Sequence, residues 1–172
     1  MKKALLMTGV VIIVVALVCV KYFTLLLDDK ELAIIVTKTY QMEEDYADKR
    51  KLSEAVNNIF IGEVIEQVGN EEYSGKPYTL YSVRITQNIK GGFLDDIVVA
   101  KEGGYYKENG KLYRLTYKKE PVLTAGKMYL FTTNPNKEKE WQVVIPQYGS
   151  TEISNEEQKF RLIDEFKQVI TK

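Results

Sequence analysis

The run Glu102-Gly103-Gly104-Tyr105-Tyr106 sets a carboxylate beside two conformationally free residues and two aromatic rings, a combination that could hold a ligand at a binding edge. Tyr113 and Trp141, the single tryptophan, complete the candidate set of Glu102, Tyr105, Tyr106, Tyr113 and Trp141. The simpler alternative is a loop leaving a strand, with the tyrosines paired across a hairpin. The glycine pair is not a phosphate cradle, because no G-x-G-x-x-G arrangement follows it. The acidic pairs Glu71-Glu72 and Asp95-Asp96 could bind calcium or serve as two hydrolytic carboxylates, but neither has the spacing of a calcium loop. Solvated turns are the plainer reading. The 12 tyrosines could stack on a glycan or a peptide, and they also stabilise half-exposed strands without any ligand.

Several chemistries are excluded by composition. Histidine is absent, which removes the usual general base near neutral pH and the commonest metal ligand. The sole cysteine, Cys19, lies in an apolar segment, so the rest of the chain has no disulfide of its own. All 24 acidic residues follow Leu27, whereas three of the 24 basic ones precede it, leaving a body of net charge near −3. A nucleic-acid partner is not expected of such a body, since phosphate binding relies on clustered Lys and Arg. No cofactor or metal is expected, and no catalytic residue is assigned.

The elements that must position the candidate residues are mostly strands. Ile59 to Val68 reads as a strand running to a Gly69-Asn70 turn, and Tyr78 to Gln87 as a second, ending at Lys90-Gly91-Gly92. Ile97 to Lys101 is a short third strand closed by Gly103-Gly104. Asn109-Gly110, between Tyr105-Tyr106-Lys107 and Lys111-Leu112-Tyr113, is the strongest hairpin signal, because both residues tolerate the positive φ of a type I′ turn. Lys127 to Thr133 and Trp141 to Ile145 pair around Asn134-Pro135-Asn136. Ser154-Asn155-Glu156-Glu157 predicts a capping box, followed by an apolar stripe of Phe160, Ile163, Phe166, Val169 and Ile170 that needs a sheet face to pack on.

The expected fold is mainly β: an OB-like β-barrel of five to six largely antiparallel strands, with a C-terminal amphipathic helix and an N-terminal transmembrane helix. A β-sandwich is the alternative. Residues 28–51 read as a mostly helical stalk or entry helix, although Ile34-Ile35-Val36-Thr37 is β-branched and could form a strand. Leu52, Val56 and Ile59 could line a short helical turn at the start of the body, residues 52–172.

Residues 1–27 carry the membrane expectation. From Ala4 to Leu27 a helix would reach roughly 36 Å at about 1.5 Å per residue, enough to cross a core of about 30 Å. No small-x-small cleavage pattern follows, and Val18 stands where a lipobox before Cys19 needs a small residue. Lys2 and Lys3 before the segment, with Asp28 and Asp29 after it, predict a single-pass plasma-membrane protein with a cytoplasmic N-terminus and the body outside. A cleaved, secreted form is the alternative.

The order of Ile59-Phe60-Ile61-Gly62-Glu63-Val64, Tyr78-Thr79-Leu80-Tyr81-Ser82-Val83, Ile89-Lys90-Gly91 and Leu123-Thr124-Ala125-Gly126-Lys127-Met128-Tyr129-Leu130-Phe131 resembles the netrin-like barrel family, which includes the tissue inhibitors of metalloproteinases. The resemblance covers residues 52–170 and implies an OB-type barrel and an extracellular interaction role. The zinc-chelating N-terminal cysteine and the disulfides of those inhibitors have no counterpart here. The expected function is a membrane-anchored binding or regulatory domain without catalytic activity, contacting an envelope protein or a glycan. The alternative is a glycan hydrolase built on Glu102, Asp95 and Asp96.

Overall fold

The computed structural model describes residues 29–40, 45–118 and 120–171. The membrane helix expected over residues 4–27, with its orientation and Cys19, lies outside them. Among the described residues no helix is long and apolar enough to cross a membrane. The chain divides into two compact units. The described part of the first includes a 3-10 turn, Asp29–Leu32. The second, Ile34–Lys172, contains nine strands and two helices among its described residues.

Five strands close a ring. In chain order they are β2 (Asn58–Tyr73), β3 (Lys76–Lys90), β4 (Ile97–Glu102), β7 (Met128–Pro135) and β8 (Trp141–Val144). The hydrogen-bonded order is β2-β3-β4-β8-β7, and β7 pairs back onto β2 with Phe60 opposite Phe131. Every pair in the ring is antiparallel except β4–β8, where Val98 faces Trp141 in parallel register. A sixth strand, β9 (Ser150–Ile153), adds antiparallel to β7.

Alternation along β2 explains its unbroken apolar run. Phe60 and Val64 point into the ring with Tyr81, Val83, Val99, Tyr129, Phe131 and Val144. Ile59 and Ile61 point outward under the helices, with Leu130, so both faces of the strand are buried. The helices are α1 (Lys49–Ala55) and α2 (Glu156–Ile170). Leu52 from the first, Val56 just after it, and Leu162, Ile163 and Phe166 from the second cover that outer face.

The remaining strands form a small sheet, ordered β1 (Ile34–Lys38), β6 (Lys111–Tyr117), β5 (Gly104–Glu108). The pairing β1–β6 is parallel, with Ile34 opposite Tyr113. The β5–β6 hairpin turns at Asn109-Gly110, whose φ values of 50° and 76° are those of the expected type I′ turn.

Four expectations are corrected. Ile34–Lys38, placed within a mostly helical stalk, is a strand of the second unit, because β-branched side chains favour the extended state and β6 supplies the pairing. The strand expected to turn at Gly69-Asn70 runs on to Tyr73, and the turn is Ser74-Gly75 with φ values of 52° and 72°. Gly69 instead sits at a register shift between Gln67 and Gly69, the bulge role of a glycine inside a strand. The capping box shifts by one residue: Asn155 Oδ1 accepts from Gln158 N at 2.8 Å, and the Gln158 side chain accepts from Ser154 N at 2.8 Å. Finally, Phe160 is 59% exposed, and Leu162 takes its place in the buried stripe.

Candidate functional site

The consecutive glycines Gly103 and Gly104, with φ of 112° and 128°, carry the chain from the ring into the small sheet. Both angles lie where L side chains are strained. Gly104 also has no room for a side chain, since a Cβ there would come within 2.5 Å of Asn70 Oδ1 and Thr79 Oγ1. Gly103 N donates to Pro77 O at 2.8 Å, and Thr79 Oγ1 donates to Gly103 O at 2.9 Å. The glycines thus lock the end of β4 against β3, leaving Glu102 on the ring and Tyr105 and Tyr106 on the sheet.

Glu102 is the centre of a polar network. Its side chain is only 8% exposed. One carboxylate oxygen accepts from Lys76 Nζ at 3.0 Å, and the other accepts from the Tyr117 hydroxyl. The Tyr117 ring stacks on Tyr40, with centroids 3.7 Å apart and planes 9° apart. Burial raises the proton affinity of Tyr117, and its hydrogen bond to Glu102 adds to the effect. Burial and then the Glu102 charge act likewise on Tyr40 and Tyr78.

Along β6, Tyr113 and Tyr117 are four residues apart and share a face of the small sheet. Tyr106 pairs with Tyr113 in register, and their rings stack with centroids 5.3 Å apart. Tyr40, Tyr106 and Tyr117 line one side of an open cleft of about 610 Å³, and Lys76 and Pro77 at the β2–β3 tip line the other. Lys38 and Glu102 also reach it.

The candidate residues therefore separate. Glu102 and Tyr106 meet at the cleft, and Tyr113 supports Tyr106 from the neighbouring strand. Tyr105 points to the other face, where the Arg114 guanidinium lies 5.5 Å from its ring centre, and both line a second cavity of about 80 Å³. Trp141 is buried in the ring wall, stacked on Tyr78 and edge-on to Tyr73, and its indole N–H has no hydrogen-bond partner among the described residues. Tyr78, opposite Glu102 in register, links that aromatic group to the network.

The acidic pairs do not form one centre. Asp95 and Asp96 precede β4 and Glu102 ends it, so a strand of six residues separates them by roughly 20 Å. That is beyond the spacing at which two carboxylates flank one glycosidic bond. Glu71 pairs with Lys139, while Glu72 lines the cleft. Among the described residues no cluster of three or more metal-ligating side chains occurs.

Sequence reasoning missed Tyr40, Lys76 and Tyr117. The repeat Tyr113, Leu115, Tyr117 at alternate positions is a period-2 signal that would have placed Tyr117 beside Tyr113. It also missed the buried ion pair of Lys101 and Glu120 at the end of the ring, where Lys101 Nζ donates to Pro121 O at 2.8 Å and Ser150 Oγ at 2.9 Å. No protein-family model matches the chain, and no match to it is found among the curated proteins.

Proposed function

We propose that this chain is a noncatalytic binding or regulatory domain, held at a membrane by residues 4–27, whose tyrosine-lined cleft contacts another envelope protein. In this reading the ring is an OB-type barrel of the netrin-like kind. Its support is the five-strand closure with one parallel pair, an arrangement suited to a small, partly open Greek-key barrel. The observation that carries the functional reading is the cleft itself. Tyr40, Tyr106 and Tyr117 offer aromatic area at low cost in side-chain entropy, and Lys38, Lys76 and Glu102 offer polar groups of both signs at its margin. The network around Glu102 holds its wall in place before any partner arrives, which reduces the ordering cost of association.

The test is photo-crosslinking in intact cells from an aryl-azide residue at position 107, which lines the cleft and is exposed. A discrete protein adduct that disappears with Tyr106→Ala supports the reading. The absence of any adduct above the unirradiated background overturns it.

A further inference from the structure

The small sheet has a second face, and it borders a cavity. Alternation along β6 sends Tyr113 and Tyr117 to the cleft side and Arg114 to the opposite one, where its register partner on β5 is Tyr105. Both line the cavity of about 80 Å³ bounded by this sheet and the ring. Tyr81 and Gly103 form its buried end, and Gln67, Asn70 and Val122 its exposed rim. One water needs about 10–15 Å³ of such space and a benzene ring roughly 150 Å³, so a group of a few heavy atoms fits.

The charges that line this cavity do not cancel. They belong to Lys101, Glu102, Arg114 and Glu120. Lys101 meets Glu120, and Glu102 meets Lys76. Arg84 and Arg161 also face carboxylates, whereas Arg114 joins no ion pair among the described residues and has the Tyr105 ring as its neighbour. Its field reaches the buried end of the cavity: burial raises the proton affinity of the Tyr81 hydroxyl, and the Arg114 charge works against that rise. One uncompensated guanidinium suits one negative charge, and its planar fork matches the two oxygens of a carboxylate. A phosphate group would bring about 1.5–2 charges to the same single cation. At the rim, Asn70 Oδ1 already accepts from Thr79 Oγ1 at 3.2 Å, which leaves the amide N–H groups of Asn70 as donors, and Gln67 adds another amide. Pro121 and Val122 supply apolar surface for a short carbon chain.

We propose that this cavity binds a carboxylate group, with Arg114 as its counter-charge and Asn70 and Gln67 as further donors. Its occupancy does not depend on the cleft reading. The carboxylate comes either from a free short-chain acid or from an acidic side chain of a polypeptide, whose remainder would leave past Val122.

The full chain in neutral-detergent micelles is treated with phenylglyoxal, which modifies accessible guanidinium groups, and its four arginines are followed separately by mass mapping. Acetate should slow the modification of Arg114 severalfold and saturably, leaving Arg50, Arg84 and Arg161 unchanged, and uncharged acetamide should protect none of them. Equilibrium dialysis with labelled acetate should give one site per chain. Arg114→Gln should weaken it more than tenfold and Arg114→Lys less, since lysine keeps the charge and loses the fork, with unchanged melting as the control for folding. The protection experiment uses the unaltered chain, so it decides the matter even where a variant does not fold. No protection of Arg114, or equal protection of all four arginines, overturns the proposal. Displacement of acetate by less inorganic phosphate than unlabelled acetate overturns it in favour of a phosphate site. N-acetylglutamate α-amide competing at lower concentration than acetate supports the site with a polypeptide side chain as the source, and competing only at higher concentration supports it with a free acid.

Discussion

The Lys101 ammonium and the Glu120 carboxylate meet inside the end of the ring, both nearly shielded from water. Around them Lys101 reaches Pro121 O and Ser150 Oγ, and Glu120 accepts from the backbone of Gln147, which sits at a positive φ of 63°. One ion pair thus ties the segment after the small sheet, the start of β9 and a strained loop to β4. Removing either partner leaves the other charge buried and unpaired. Glu120→Gln and Lys101→Met should each cost about 3–5 kcal/mol, and the double variant much less than their sum. Denaturant unfolding of the four proteins of this cycle measures the coupling.

At the cleft, Glu102→Gln removes the charge from a side chain that has two hydrogen-bond partners. A loss of about 1–3 kcal/mol is expected, together with loss of the crosslinked adduct. Lys76→Ala should cost under about 1 kcal/mol, because its ammonium is largely exposed and surface pairs contribute little. Equal effects from the two substitutions, measured by the same unfolding experiment, would refute this division.

Gly104→Ala tests whether the sheet is locked to the ring by close approach. The added methyl meets Asn70 and Thr79 at a backbone angle that disfavours it, so destabilisation of roughly 1–3 kcal/mol is expected. Hydrogen exchange should quicken in β5 and β6 while the β2–β7 pairing stays protected. Uniform loss of protection across both sheets would contradict it.

Alkaline pH should unfold this protein early. Tyr40, Tyr78 and Tyr117 hold their protons above the ordinary value of 10.0, and burial pushes Tyr81 up to about 12. The unfolded chain releases these protons from about pH 10 while the native chain keeps them, so stability present below that value is lost as pH rises. Lys101 acts in the opposite sense: burial lowers its proton affinity, so the native state gains stability from it as pH climbs towards 10.5. Lys49, whose proton affinity burial also lowers, joins Lys101, while Lys127 and Lys139, bonded to Glu152 and Glu71, hold their protons more tightly and side with the tyrosines, so two groups oppose six. The melting temperature should fall above pH 10, and four of the 12 tyrosinates should appear only with unfolding, as ultraviolet absorbance will show.

What was legible in the sequence was local. Asn109-Gly110 gave its hairpin because turn chemistry is decided by two residues, and the ring strands announced themselves through apolar periodicity. Glu102, Tyr106 and Tyr113 were readable as a group for the same reason, being close along the chain. The pairing of Ile34 with Tyr113 was not, because nothing near Ile34 encodes a partner 79 positions away. Tyr40 stayed hidden with it, since its value lies in stacking on Tyr117. Gly69-Asn70 misled because the same dipeptide serves a turn or a bulge, and only the neighbouring strand decides between them. Trp141 stood out by being the single tryptophan, and its burial against Tyr78 in the strand ring depends on a pairing of β4 with β8 that no local pattern encodes.

β1 is the first strand of its unit, and its register partners all lie on β6. A pull on the residues before it is therefore felt first by the five register pairs from Ile34–Tyr113 to Lys38–Tyr117, and only afterwards by the ring. The small sheet is in this sense a mechanical coupling. A load that reaches Ile34 is expected to peel away β1, and Lys38 at the margin of the cleft with it, before it strains the ring.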